Sequence, residues 1–145
     1  MKKRSVKEYI FFVEAWILLA FSRALILFRP FKTLTPIIGK PVNEETANDI
    51  LEEHISDRQL LLFIKRSIWR AAKRSPWRTM CFEQALTARI MLRLRNVKSV
   101  VFFGVNRHYN KEETMKAHAW LICSKFTVTG GANNSDYTIV GRFVK

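Results

Sequence analysis

Two residues stand where nucleophilic chemistry would need them. Cys81 ends the non-helical run Ser75-Pro76-Trp77-Arg78-Thr79-Met80 and opens a helical pattern of Phe82, Leu86, Ile90 and Leu94. A cysteine at a helix N-terminus meets unpaired N–H groups and the positive end of the dipole, a setting that favours thiolate over thiol. The same amides can hold the negative oxygen of a tetrahedral intermediate, and the nearby Arg74 and Arg78 push the same way. His118 lies in Ala117-His118-Ala119-Trp120, where strand alternation puts His118 and Trp120 on one face and the two alanines on the other. Those alanines leave room for the helix carrying Cys81, and a strand holds an imidazole rigidly enough to act as a base. The implied chemistry is thiolate attack on a carbonyl with imidazole as proton carrier. Either residue alone has a plainer reading, because free cysteine is often a small buried side chain and a strand histidine often a satisfied one. His54 and His108 fall in polar surroundings and are expected at the surface.

The elements that must position this pair follow from periodicity. Asn43 can cap a helix running to about His54, with Glu44 and Glu45 at its positive end. Ser56 and Gln59 have capping-box spacing ahead of Leu60, Leu61, Phe63, Ile64, Ile68 and Trp69, a helix that must stop before Ser75-Pro76. Beyond Asn96 the texture becomes β, over Ser99–Val105, Ala117–Cys123, Phe126–Thr129 and Tyr137–Phe143. Helices followed by strands predict an α+β fold, with a small antiparallel sheet packed on the helix that bears Cys81. The predicted organisation is an apolar helix and Pro-rich connector over 1–42 and a domain over 43–145, forming one compact unit.

The segment from Tyr9 to Phe28 is almost long enough to span a bilayer. As a span it would carry Glu14 and Arg23 into hydrocarbon at about 2.5 to 3.5 kcal/mol each, with no partner one helical turn away. As a secretion signal it offers a basic start and a small-x-small trio at Ala20-Phe21-Ser22, but Glu14 interrupts it. The favoured reading is a helix that buries much of its circumference against the domain, a partner or a membrane surface. The three prolines and Gly39 between Pro30 and Pro41 predict a connecting loop.

With 145 residues, 48% of them hydrophobic, the chain can bury a core without disulfide or metal staples. No metal or cofactor is called for. Cys81 and Cys123 are too few for a disulfide framework and form no C-x-x-C pair, which fits a reducing compartment and a cytoplasmic location. The net charge is +13, and between Arg58 and Lys98 eleven basic residues face only Glu83 and the flanking Asp57. Such a surface suits an acidic peptide, anionic lipid or nucleic acid, or is simply a solvated helix face. A basic nucleic-acid-binding module is therefore the rival reading, with Trp69 and Trp77 set among arginines.

The runs SPWRTMCFEQALTARIMLRLR, VVFFGVNR and AHAWLICSKFTVTGG together resemble the leader-peptidase half of lasso peptide biosynthesis protein B, a transglutaminase-like group. The resemblance implies a transglutaminase-like or papain-like cysteine peptidase. Such an enzyme removes the leader of a ribosomally made lasso precursor without ATP, alongside a leader-recognition protein and a lasso cyclase. Cys81 and His118 match the family's nucleophile and base. Family members carry an aspartate after the histidine strand to orient the imidazole; here Thr129-Gly130 stands in that region. Asp136 is the one carboxylate after His118, with Asn133 and Asn134 as alternatives. Substrate selection is then expected to come from the recognition protein, and the N-terminal helix to allow peripheral membrane contact; no nucleic acid is expected. A non-catalytic adaptor with the same fold is the further alternative.

Overall fold

The computed structural model describes residues 5–52, 57–77, 79–106, 117–131 and 137–144. Helix α1 (Val6–Phe28) starts where the Ser5 hydroxyl accepts from the Glu8 N–H. After it come α2 (Phe31–Ile38), the two-residue strand β1 (Lys40–Pro41), α3 (Glu44–Glu52), α4 (Arg58–Arg74) and α5 (Cys81–Leu94). Strands β2 (Val100–Asn106), β3 (Ala117–Cys123), β4 (Phe126–Thr129) and β5 (Tyr137–Val144) complete an antiparallel sheet in the order β1-β5-β2-β3-β4. This is the α+β arrangement expected, with α5 packed on β3.

Strand alternation divides the sheet into two faces with different partners. Val101, Ala119, Leu121, Cys123 and Val128 join the main core with α1, α4 and α5. Val100, Phe102, Trp120 and Val144 turn to the other side and pack with Ala47 of α3. Ala85 and Ala88 of α5 meet this sheet at Ala119, all three buried, so the helix and strand backbones approach closely. Arg89, almost fully buried, fixes the other end of α5. Its guanidinium donates to the Ser99 carbonyl, the Ser99 hydroxyl and the Phe143 carbonyl at 2.7, 2.9 and 2.6 Å. Burial, helped by the neighbouring Arg93, pushes its pKa down to about 10, which leaves it charged at neutral pH.

Glu14 and Arg23, the charges within the apolar stretch of α1, find distant partners. Arg23 pairs with Glu83 at 2.8 Å, and Arg95 grips the Glu14 carboxylate with two bonds of 2.7 Å. Ser22 and Thr87 share a buried hydrogen bond between them. Phe11, Ala15 and Leu19 are buried on the same side of α1, while Ile10, Val13, Ile17 and Phe21 form an exposed apolar face.

Three local expectations change. The Pro-rich connector contains α2, because Pro30, with φ fixed by its ring and an extended ψ, stands just before the helix and the hydroxyl of Thr35 takes the Lys32 carbonyl that Pro36 cannot bond. Arg93 donates to the Pro36 carbonyl, and Leu34 and Ile38 are buried against Leu86. Lys40–Pro41 adds an edge to the sheet, opposite Phe143 and Val144, although it lies between helices in the chain. Finally, α4 is capped by Asp57, whose carboxylate accepts from the Leu60 N–H at 2.9 Å. Ser56, the cap expected from the sequence, lies outside the described residues.

Candidate active site

The first residue of α5 is Cys81, so its sulfur sits among first-turn amides that have no carbonyl partner within the helix. The turn before it is locked by Glu83. That carboxylate accepts from the Met80 N–H and from Arg23 of α1 and is only 2% exposed. The Cys81 elbow is thereby tied at once to its own helix and to α1. Cys81 itself is partly exposed, and its Sγ accepts from the backbone N–H of Ala119 at 3.4 Å.

Ala119 is the residue after His118, so one peptide unit separates the sulfur's hydrogen-bond donor from the histidine. The imidazole lies between rings, 4.8 Å from Tyr137 and stacked 5.5 Å from Trp120, centroid to centroid. Gly104 stands opposite His118 in the ladder, and a Cβ there would come within 3.0 Å of the Tyr137 and Trp120 side chains. The absent side chain is what lets the rings close around the histidine.

The Nε2 of His118 is 2.9 Å from the Gly130 carbonyl oxygen. A carbonyl can only accept, so Nε2 carries the proton and Nδ1 is the basic nitrogen of the neutral ring. Gly130 can present that oxygen because its φ of +72° is open to glycine at no steric cost. A Cβ there would also lie 2.7 Å from the Trp120 Cβ and 2.8 Å from the Ala119 carbonyl. Among the described residues His118 and Cys81 share no direct hydrogen bond; the link between them is the Ala119 N–H, which donates to the Cys81 sulfur.

Of the candidates read from the sequence, Cys81 packs on the Ala119 face of β3, while the His118 ring packs with Trp120 and Tyr137 on the other face, one residue along the strand. Asp136, Asn133 and Asn134 lie outside the described residues, as do His54 and His108. Sequence reasoning missed Glu83 and Gly130. Glu83 did carry a signal, an acid three residues after the helix cap, but Met80 offers no side-chain oxygen to complete the usual pair. Gly130 acts through its main chain, which no side-chain motif announces. Among the described residues no three His, Cys, Asp or Glu side chains gather as a metal-binding group.

A family model described as the transglutaminase-like superfamily matches residues 16–142. The chain belongs to the transglutaminase-like superfamily. That superfamily includes cysteine peptidases and transglutaminases, and the matched span contains Cys81, His118 and Gly130 as well as most of α1. Comparison with curated proteins and with solved structures finds no significant match. In this transglutaminase-like chain the Cys81 thiol at a helix start accepts from the N–H of Ala119, and the preceding His118 is held through Nε2 by the Gly130 carbonyl.

Proposed function

We propose that this protein is a cysteine peptidase that removes the leader from a ribosomally made lasso precursor without ATP, delivering the core to a separate cyclase. The observation that carries the reading is Cys81 at the start of α5, with its sulfur on the Ala119 N–H beside a His118 held by Gly130. The Cys81 thiolate attacks the scissile carbonyl, and the first-turn amides of α5 receive the developing oxyanion. His118, through Nδ1, protonates the departing amine and then activates the water that releases the leader from sulfur. The Gly130 carbonyl keeps Nε2 protonated throughout, so the ring presents the correct nitrogen. Asp136 is the carboxylate proposed to balance the imidazolium charge.

A leader-recognition protein supplies the grip on the leader that a 145-residue chain has little surface to provide. The work is done in the cytoplasm, and the apolar outer face of α1 on a strongly basic protein suits peripheral contact with an anionic membrane. The test is incubation of the purified protein with a candidate lasso precursor and its recognition protein, with and without ATP, read by intact mass. Cleavage at one leader–core bond irrespective of ATP, lost in Cys81→Ala and His118→Ala, supports the peptidase. No cleavage of a precursor shown to be held by its recognition protein makes the chain an adaptor.

A further inference from the structure

Beside the Cys81 helix, between α4, α5 and β4, lies a cleft of about 450 Å³. It adjoins the candidate site on two sides. Gln84 stands one turn along α5 from Cys81, and Gly130 is the residue whose carbonyl holds His118. The walls are chiefly apolar, with Ile68 and Trp69 from α4 facing Phe126 and Val128 from β4.

Two further features describe what belongs in it. Thr129 lines the cleft, is 6% exposed, and its hydroxyl has no hydrogen-bond partner among the described residues. A buried hydroxyl left so is destabilising, and a peptide main chain entering the cleft carries the donors and acceptors that would complete it. The rim is cationic: Lys65 and Arg66 line it, Lys65 lies 5.1 Å from the Phe126 ring centroid, and Lys73 lies 3.7 Å from that of Trp69. Among the described residues no acidic side chain lines the cleft.

We infer that this cleft is a substrate subsite that takes one bulky apolar or aromatic side chain of an acidic peptide close to the bond attacked by Cys81. The inference rests on the peptidase reading and adds to it a selection made by this chain itself, independent of any recognition protein. The volume holds a single large side chain with its adjoining main chain, the apolar walls favour that side chain, and the lysine and arginine rim favours an acidic neighbour.

The experiment uses acetylated tetrapeptide chloromethyl ketones, each with aspartate farthest from the reactive group. One carries alanine at the other three positions; three more place phenylalanine at one of those positions in turn. Labelling of Cys81 is followed by intact mass, with iodoacetamide as a probe that needs no subsite. One phenylalanine probe should label Cys81 at least tenfold faster than the alanine probe. Trp69→Ala and Gly131→Leu should remove most of that preference. Trp69 is largely exposed, and a Cβ on Gly131 would meet only the Thr127 side chain, at 3.3 Å and beyond, so both chains should fold. Equal rates for all four probes, or a preference that survives both substitutions, would overturn the subsite while leaving the nucleophile in place. If iodoacetamide labels Cys81 and no peptidyl probe does, the peptidase reading fails and the subsite with it.

Discussion

The two cysteines of this chain are held in opposite ways. Cys81 begins a helix, is partly exposed, and its sulfur accepts a hydrogen bond from the Ala119 N–H. Cys123 ends strand β3, is fully buried, and its sulfur lies 3.3 Å from the Lys98 carbonyl, to which it can only donate. Burial pushes the Cys123 thiol up to about 11, although the charge of Arg89 pulls the other way. One thiol accepts a main-chain hydrogen bond at a helix start, and the other is buried and donates to a carbonyl. The lesson is that position at an element's end sets reactivity: a helix start offers free N–H groups, and this strand end offers a carbonyl.

The largest expected effect separates the pair outright. Cys81→Ala should lower leader cleavage by about 10⁴-fold or more, the scale seen when a nucleophile is removed. Cys123→Ala should leave the rate within a few-fold and show its cost in thermal stability instead. A Cys123→Ala enzyme that folds but has lost cleavage would break the comparison.

Next in size is the support on the histidine side. Gly130→Ala forces a Cβ against Trp120 and the Ala119 carbonyl, which moves the oxygen that fixes His118. Misplacement of a catalytic group by about 1 Å is worth about 10²-fold, so kcat should fall by that order while the helix that holds Cys81 stays labelled at its usual rate. A Gly130→Ala variant with normal kcat would remove the carbonyl from the account.

The elbow of Cys81 rests on the buried Glu83, paired with Arg23 of α1, and Glu14 of the same helix offers a pair without a buried member for contrast. Glu83→Gln removes the charge from the buried end of a pair whose Arg23 keeps 29% of its side-chain exposure, and should cost about 2 kcal/mol in urea unfolding through weakened hydrogen bonds from Arg23 and the Met80 N–H. Glu14→Gln, at a pair of which both members retain about a quarter of their side-chain exposure, should cost about 1 kcal/mol or less. Equal costs would mean that Glu83 is not the anchor of the elbow.

The smallest effect is a pH dependence. The buried Cys123 thiol ionises at a higher pH in the folded chain than in the unfolded one, so the unfolded state releases its proton first. Stability should therefore decline as pH rises from about 9 to about 11, and this decline should be shallower in Cys123→Ala than in the parent. Parallel curves would show that Cys123 is not set apart by burial.

Much of this was legible in the sequence, and the limits have physical causes. Helical spacing after Met80 put Cys81 at the head of α5, and the alternation around His118 correctly turned Ala119 toward that helix. Strands β3 and β4 fell where β-branched and aromatic runs placed them. What could not be read was held by long-range contacts. Glu14 and Arg23 looked unpartnered because their partners lie 81 and 60 residues away in the chain, brought to α1 by the packing of α5. The helix in the Pro-rich stretch forms because Leu34 and Ile38 find a buried seat that local propensity cannot foresee. The acceptor on His118 is a main-chain oxygen, and every residue has one.

The most direct test of a chain that prepares one thiol and shields the other is brief iodoacetamide labelling of the folded protein at pH 7, followed by peptide mapping. The account predicts label on the peptide containing Cys81, at a rate reduced in His118→Ala, and label on Cys123 only after unfolding. Faster labelling of Cys123, or a Cys81 that stays inert while folded, would contradict it.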